Sequence, residues 1–299
     1  MMHYREYKEF ILDYLQKQLG EDAELSVIEV IRMNDSRKEA ILADDRRGGL
    51  SPVFYLDGLY AEYRKTGDPY AGAERCIAEF AGEKPVKDTS LLMDWEYIRP
   101  RVRIRLVGME RNREYLKNKV YAEMLDLAVL FVVVLKQERD GEISVPVTKE
   151  LMKRCGFSRE ELYGAAEKNL QKEYFRVQSM KEIIHNLSKE LGGEMCEIGI
   201  PGKDIYVVTN EHRLFGARVM CRKDVLRGIA GGFGRNLYIL PSSVHELILL
   251  KDEGEMDINH MKEIVRGVNG SEDIMSEEDI LSDSVYYYDR GLGEIRIVG

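Results

Sequence analysis

Five consecutive residues carry the three side-chain types that acyl transfer needs. Ser242 and Ser243 offer hydroxyl nucleophiles, His245 an imidazole base, and Glu246 a carboxylate to orient it. Their closeness in sequence is no support, because triads are assembled from distant positions, and no G-x-S-x-G elbow is present. The competing account has the serines capping backbone at a strand end while His245 satisfies a hydrogen bond. A second polar cluster, Asn210-Glu211-His212-Arg213, follows the apolar run Ile205–Thr209. Loops between strands often carry binding residues, although any hairpin turn has this composition. If the two turns faced each other, His212, His245, Glu211 and Glu246 would form an acid–base or metal constellation. Neither H-E-x-x-H nor H-x-H occurs, so no metal and no cofactor are expected.

The third candidate is electrostatic. In RPRVRIRLVG, Arg101, Arg103 and Arg105 alternate with Val102, Ile104 and Leu106, which predicts a strand with one apolar and one basic face. Residues 99–119 hold eight basic and two acidic side chains, net +6, within a chain of net −9. Residues 251–299 hold five basic and thirteen acidic, net −8. The plain account is that the two regions neutralise each other within the fold or across a homodimer. An anionic ligand at the arginine face is the sharper alternative. The overall negative charge disfavours a general nucleic-acid binder.

Other features weigh less. Cys76, Cys155, Cys196 and Cys221 are far apart with no C-x-x-C pair, as expected of free thiols in a reducing compartment. The glycines from Gly228 to Gly234 follow a predicted helix instead of linking a strand to one, so they terminate it and cradle no phosphate. The N-terminus MMHYREYKEF is charged, and the longest apolar run, Leu127–Leu135, falls well short of the roughly 20 residues that a membrane span needs. A cytoplasmic protein is expected.

These groups must be positioned by the surrounding elements. Tyr4, Tyr7, Ile11, Tyr14 and Leu15 fall at helical spacing, with Leu19-Gly20 as the stop. Leu25–Ile31 and Glu39–Ala43 read as a hairpin about Asn34-Asp35-Ser36. Ser51-Pro52 predicts the start of a helix over VFYLDGLYAEYRKT, and a second follows Asp68-Pro69. A short helix is expected around Leu91–Ile98. Met124–Lys136 predicts a central buried strand, with 143–147 an edge strand because of Pro146. Capping boxes at Ser158–Glu161 and Ser179–Glu182 predict helices, the first running through ELYGAAEKNLQKEY. Beyond Ile205, the sequence predicts a strand, a second strand over Leu214–Cys221, a short helix ended by Gly231-Gly232, strands LYIL and LILL, a helix over 258–268 and a terminal hairpin. The fold class expected is α+β: a helix–hairpin N-terminal part, a helical middle, and a mostly antiparallel C-terminal sheet with helices on one face. Gly192-Gly193 suggests domains of 1–193 and 194–299.

The segments TNEHRLFGA and YILPSSVHE, with YREYKEFILDYL, SPVFYLDGLYAEYRKTG and MDWEYIRPRVRIRLVGMERNREYLK, are similar to an uncharacterised domain-of-unknown-function family abundant in intestinal anaerobic Firmicutes. The resemblance spans essentially the whole chain. It departs between Asn34 and Gly49, where an asparagine-glycine turn is expected and NDSRKEAILADDRRGG stands. It implies a bacterial cytoplasmic protein and assigns no reaction.

The function expected first is a non-enzymatic protein-binding or regulatory module engaging a protein or peptide partner, with Arg101, Arg103, Arg105, Asn210, Glu211 and His212 as binding candidates. A homodimer stays open. A hydrolase built on Ser242 or Ser243, His245 and Glu246 is the alternative, and nucleic-acid binding through the arginine strand comes third.

Overall fold

The computed structural model describes residues 1–44, 50–82, 88–137, 141–191, 204–254, 256–271 and 273–299. Arg46–Gly49, Cys196 and the Gly192-Gly193 pair lie outside the described residues. The chain's contacts divide it into two compact units, Met1–Ile98 and Arg99–Gly299.

In the first unit, helix α1 (Tyr4–Leu19) buries Tyr7, Ile11, Leu15 and Leu19, one residue per turn on a single face. Gly20, at φ 58°, ends it. Strands β1 (Glu24–Ile31) and β2 (Arg37–Asp44) form the expected hairpin. Its turn uses Asn34 and Asp35, both at positive φ, where an asparagine-glycine pair would do the same work. The helix expected after Ser51-Pro52 begins later. Val53–Tyr55 is instead a third strand, β3, paired with Ala40–Leu42, and α2 (Leu56–Thr66) follows it. These β-branched and aromatic residues suit a sheet edge, and Phe54 is buried there. Helix α3 (Ala71–Ala81) completes the core, in which the rings of Tyr7 and Tyr63 stack at 4.9 Å. The short α4 (Trp95–Ile98) closes the unit.

Among the described residues, the second unit contains two antiparallel sheets. In the first, β4 (Val102–Gly108) and β5 (Tyr121–Met124) flank β6 (Leu127–Gln137), and β7 (Glu142–Pro146) pairs with the far end of β6. Leu127 to Val133 are all buried, as the apolar run predicts, and Pro146 sits in a strand paired on one side only. After the short α5 (Arg113–Leu116) and α6 (Lys149–Cys155), helix α7 (Arg159–Leu170) starts on its Ser158–Glu161 capping box. It lays Leu162, Ala165, Ala166 and Leu170 toward β4.

The second sheet has six strands, in the order β13 (Glu294–Ile297), β12 (Tyr286–Asp289), β10 (Leu237–Pro241), β11 (Leu247–Lys251), β9 (Ile205–Asn210), β8 (Phe175–Ser179). Helix α8 (Met180–Leu191) follows β8, α9 (Lys223–Phe233) precedes β10, and α10 (Ile258–Asn269) packs Met261 and Val265 against Tyr238, Leu240, Leu250 and Tyr287. This is the α+β architecture expected, with every strand pair among the described residues antiparallel.

Two further expected elements differ from the sequence reading. Leu214–Cys221 is not a strand, since Gly216–Cys221 forms a 3-10 helix. Helix α9 runs through Gly231-Gly232 and stops at Gly234, whose φ of 67° makes the left-handed cap. The two sheets are tied at Asp126, whose carboxylate accepts hydrogen bonds from Ser282 (2.7 Å), Ser284 (2.9 Å) and Tyr286 (2.8 Å).

Candidate functional site

The two polar turns are neighbours, because β9 pairs with β11 and brings Val208 opposite Leu247. What joins them is backbone. The His245 carbonyl accepts from the Thr209 hydroxyl at 2.8 Å and from the Gly216 N–H at 2.9 Å. A side chain at Gly216 would collide with Thr209, with the His245 carbonyl and with the Asn210 N–H. The loop between bends through Arg213 and Phe215, both at positive φ. Asn210, buried, spans the bend: its amide donates to the Leu214 carbonyl and its oxygen accepts from the Leu214 N–H.

The side chains diverge from this joint. His245 Nδ1 accepts from the Phe215 N–H at 3.1 Å, which leaves Nε2 to carry the proton toward Asp279, also 3.1 Å away. Both ring nitrogens are thereby engaged, and neither serine hydroxyl bonds to them. Ser243 Oγ accepts from the His245 N–H, and Ser242 Oγ lies 3.5 Å from Glu246. Ser242, Ser243, His245 and Glu246 are together in space, but without the nucleophile–base hydrogen bond of a triad. Among the described residues, no three His, Cys, Asp or Glu side chains gather as a metal site would require.

The arginine strand is less open than its alternation suggests. Val102, Ile104 and Leu106 are buried as expected, but β4 begins after Arg101, which sits in the preceding 3-10 turn. Arg105 is consumed by packing: it bonds Glu142 and Ser144, and its guanidinium stacks 3.9 Å over the Phe215 ring. The basic segment and the acidic tail do meet, through Arg111 and Asp283 at 2.8 Å.

Arg101 and Arg103 instead line a pocket of about 360 Å³. Asn210, Glu211 and His212 line it too, so five of the six binding candidates reach one cavity, and His245 is not among its walls. Sequence reasoning missed Lys172, Glu173, Tyr174 and Arg218. The first three were read as helix, yet α7 ends at Leu170 and they form the turn into β8. The periodicity carries no signal of this stop, since Tyr174 continues the Leu162, Ala166, Leu170 stripe at helical spacing.

Arg218 is buried, donating to Glu173 Oε2 at 2.8 Å and to the Ile104 carbonyl at 3.0 Å. The other Glu173 oxygen is sealed from solvent with no hydrogen-bond partner, 3.9 Å from Arg103 Nε. Arg103 is held by the Pro100 and Val102 carbonyls, each at 2.9 Å from Nη1. Burial pulls its guanidinium below the ordinary value; Glu173 opposes that shift and Arg218 adds to it. Four cations (Arg101, Arg103, Lys172, Arg218) thus stand in the walls against three carboxylates (Glu142, Glu173, Glu211). At the rim, Tyr174 is 64 % exposed.

A second hollow, about 540 Å³, lies by Arg113, Lys117, Lys149 and Asp126. Its groups are committed elsewhere: Arg113 to Glu110, Lys117 to Glu114, Lys149 to the Lys117 carbonyl and Asp126 to its three hydroxyls.

An antiparallel α+β protein with a polar, arginine-walled pocket on its larger unit is the class that fold and site define. The chain belongs to the family of unknown function DUF5688, whose model matches residues 4–290. No curated protein and no solved structure matches the chain. Among the described residues, no helix is long and apolar enough to cross a membrane.

Proposed function

We propose that this is a non-enzymatic binding module whose pocket between β4, the Gln171–Tyr174 turn and the Asn210–His212 turn receives a protein or peptide partner. The observation that carries this reading is Tyr174, exposed at the rim of a cavity walled by arginines. Tyrosine and arginine dominate the energetics of protein interfaces, whereas small-molecule sites are lined mainly by apolar side chains. The commitment of both His245 ring nitrogens supports the non-enzymatic side of the reading.

The test is fluorescence anisotropy of the full chain against sets of short acidic, neutral and basic peptides. Binding by the acidic set is expected, weakened about tenfold or more by Tyr174→Ala, a loss of ~1.4 kcal/mol or more. The variant should melt with the wild type, because the ring packs on little. Absence of binding by every set, or binding indifferent to Tyr174→Ala, would refute the proposal.

A further inference from the structure

We infer that the outer edge of β1 is a self-association surface, on which two copies of this chain pair their β1 strands antiparallel about a two-fold axis. This surface belongs to the first unit, whereas the walls of the pocket belong to the second.

Strand β1 ends its sheet: among the described residues it pairs with β2 and with no strand on its other side. The Arg32 N–H donates to the Ser36 carbonyl, so Ser26, Ile28 and Val30 also turn their backbone groups toward β2. The backbone groups of Leu25, Val27, Glu29 and Ile31 therefore point outward. Long edges of this kind are usually blunted by proline, a bulge or lysine. Glu24–Ile31 has none of these, keeps an unbroken register over eight residues, and holds Leu25, Val27, Ile28, Val30 and Ile31. Val27 is 39 % exposed, and the other four are half-buried.

A second copy is what this edge complements. With Ile28 on the axis, Leu25 meets Ile31 and Val27 meets Glu29, so every outward group of one strand faces one of the other. On the opposite face Ile28 meets its own counterpart and Ser26 meets Val30. Glu24, at one end of the strand, stands opposite Arg32, just past the other end, and the symmetry repeats the match. Glu29 brings no uncompensated charge, since Arg37 on β2 holds it at 2.5 Å. Neighbouring registers are worse. An axis at Glu29 sets that carboxylate against itself; an axis at Val27 sets Leu25 against Glu29 and carries Ile31 past the strand to Ala23.

Sedimentation velocity of the full chain over about 1–200 µM tests the proposal. The mass should rise with concentration from 34.5 kDa toward twice that value. Ile28→Lys and Ile28→Glu each set like charges together on the axis and should weaken the dimer about tenfold or more. Mixed, the two variants should pair at least about tenfold tighter than either does alone, because Lys then faces Glu. Val27→Pro removes an outward N–H that the sheet of one chain does not use. It should abolish the dimer while circular dichroism shows the fold retained. If the Ile28 variants do not fold, Val27→Pro decides: a dimer it leaves intact overturns the proposal. A chain that stays monomeric throughout the range overturns it too, whether the edge then takes a foreign strand or none. So does a dimer indifferent to these substitutions, or a failure of the folded Lys and Glu variants to pair, since another surface or register then joins the copies.

Discussion

Replacing Gly216 by alanine should unlock the joint between the two polar turns. An alanine Cβ would sit 2.5 Å from the His245 carbonyl oxygen and 2.8 Å from the Asn210 nitrogen, as well as against the Thr209 hydroxyl. Two of these are backbone atoms, one at the end of β9 and one in the turn entering β11, and the third is a short branched side chain, so none can swing aside. Overpacking of this kind costs about 1–3 kcal/mol. Moving the His245 carbonyl also breaks its bonds from Thr209 and Gly216, at about 1 kcal/mol each. The sum is about 3–5 kcal/mol, or a fall of about 6–20 °C in the melting temperature of a unit this size. Gly228→Ala is the internal control: it lies inside α9 with no atom within 4 Å of the added methyl, and should raise stability by about 0.5–1 kcal/mol. Scanning calorimetry of the full chain, with hydrogen exchange over residues 205–250 to identify the transition that moves, measures both. A Gly216→Ala chain melting within about 2 °C of wild type would refute the account of these turns as a structural joint.

Three further outcomes are expected. Asp126→Asn trades three charge-assisted hydroxyl bonds for weaker ones and should cost about 2 kcal/mol, read from denaturant midpoints. The Arg222 guanidinium, bonded to both oxygens of Asp224, holds that carboxyl at about 2 against an ordinary 3.8. A carboxyl depressed on folding stabilises above its unfolded value and loses that contribution as pH falls through its folded value. Wild type should therefore exceed Asp224→Asn in stability above about pH 4, and the advantage should fade as pH drops through about 2; because the pair is solvent-screened, it should stay below about 1 kcal/mol. Burial raises the thiols of Cys76 and Cys221 to about 12, so iodoacetamide at pH 8 should modify neither in the native chain, and both after unfolding, as peptide mass mapping will report.

Local chemistry was readable wherever one segment's own pattern decided the outcome. The stripe of Tyr7, Ile11 and Leu15 faces a core, the Ser158–Glu161 box starts a helix, and Leu127–Val133 is buried through its length. Misreadings fall where a distant partner decides. Val53–Tyr55 followed a good helix start, but the free edge of β2 took it as a strand. Leu214–Cys221 is apolar enough for a strand, but Gly216 must pass against His245 and cannot extend the sheet. Arg105 was indistinguishable in sequence from Arg103, yet one packs on Phe215 and Glu142 while the other faces the pocket.

The residues alone determined most of the elements, the fold class and much of the list of side chains with something to offer, because helical and strand periodicities act over a few residues and charge can be counted. Only the tertiary structure decided which of those side chains meet. Pairing of β9 with β11 brought the two turns together and spent His245 on the joint, while the end of α7 at Leu170 carried Lys172, Glu173 and Tyr174 to the arginines of β4. A site assembled from residues far apart in the chain depends on strand order and on where each element stops, and those follow from burial across the whole unit.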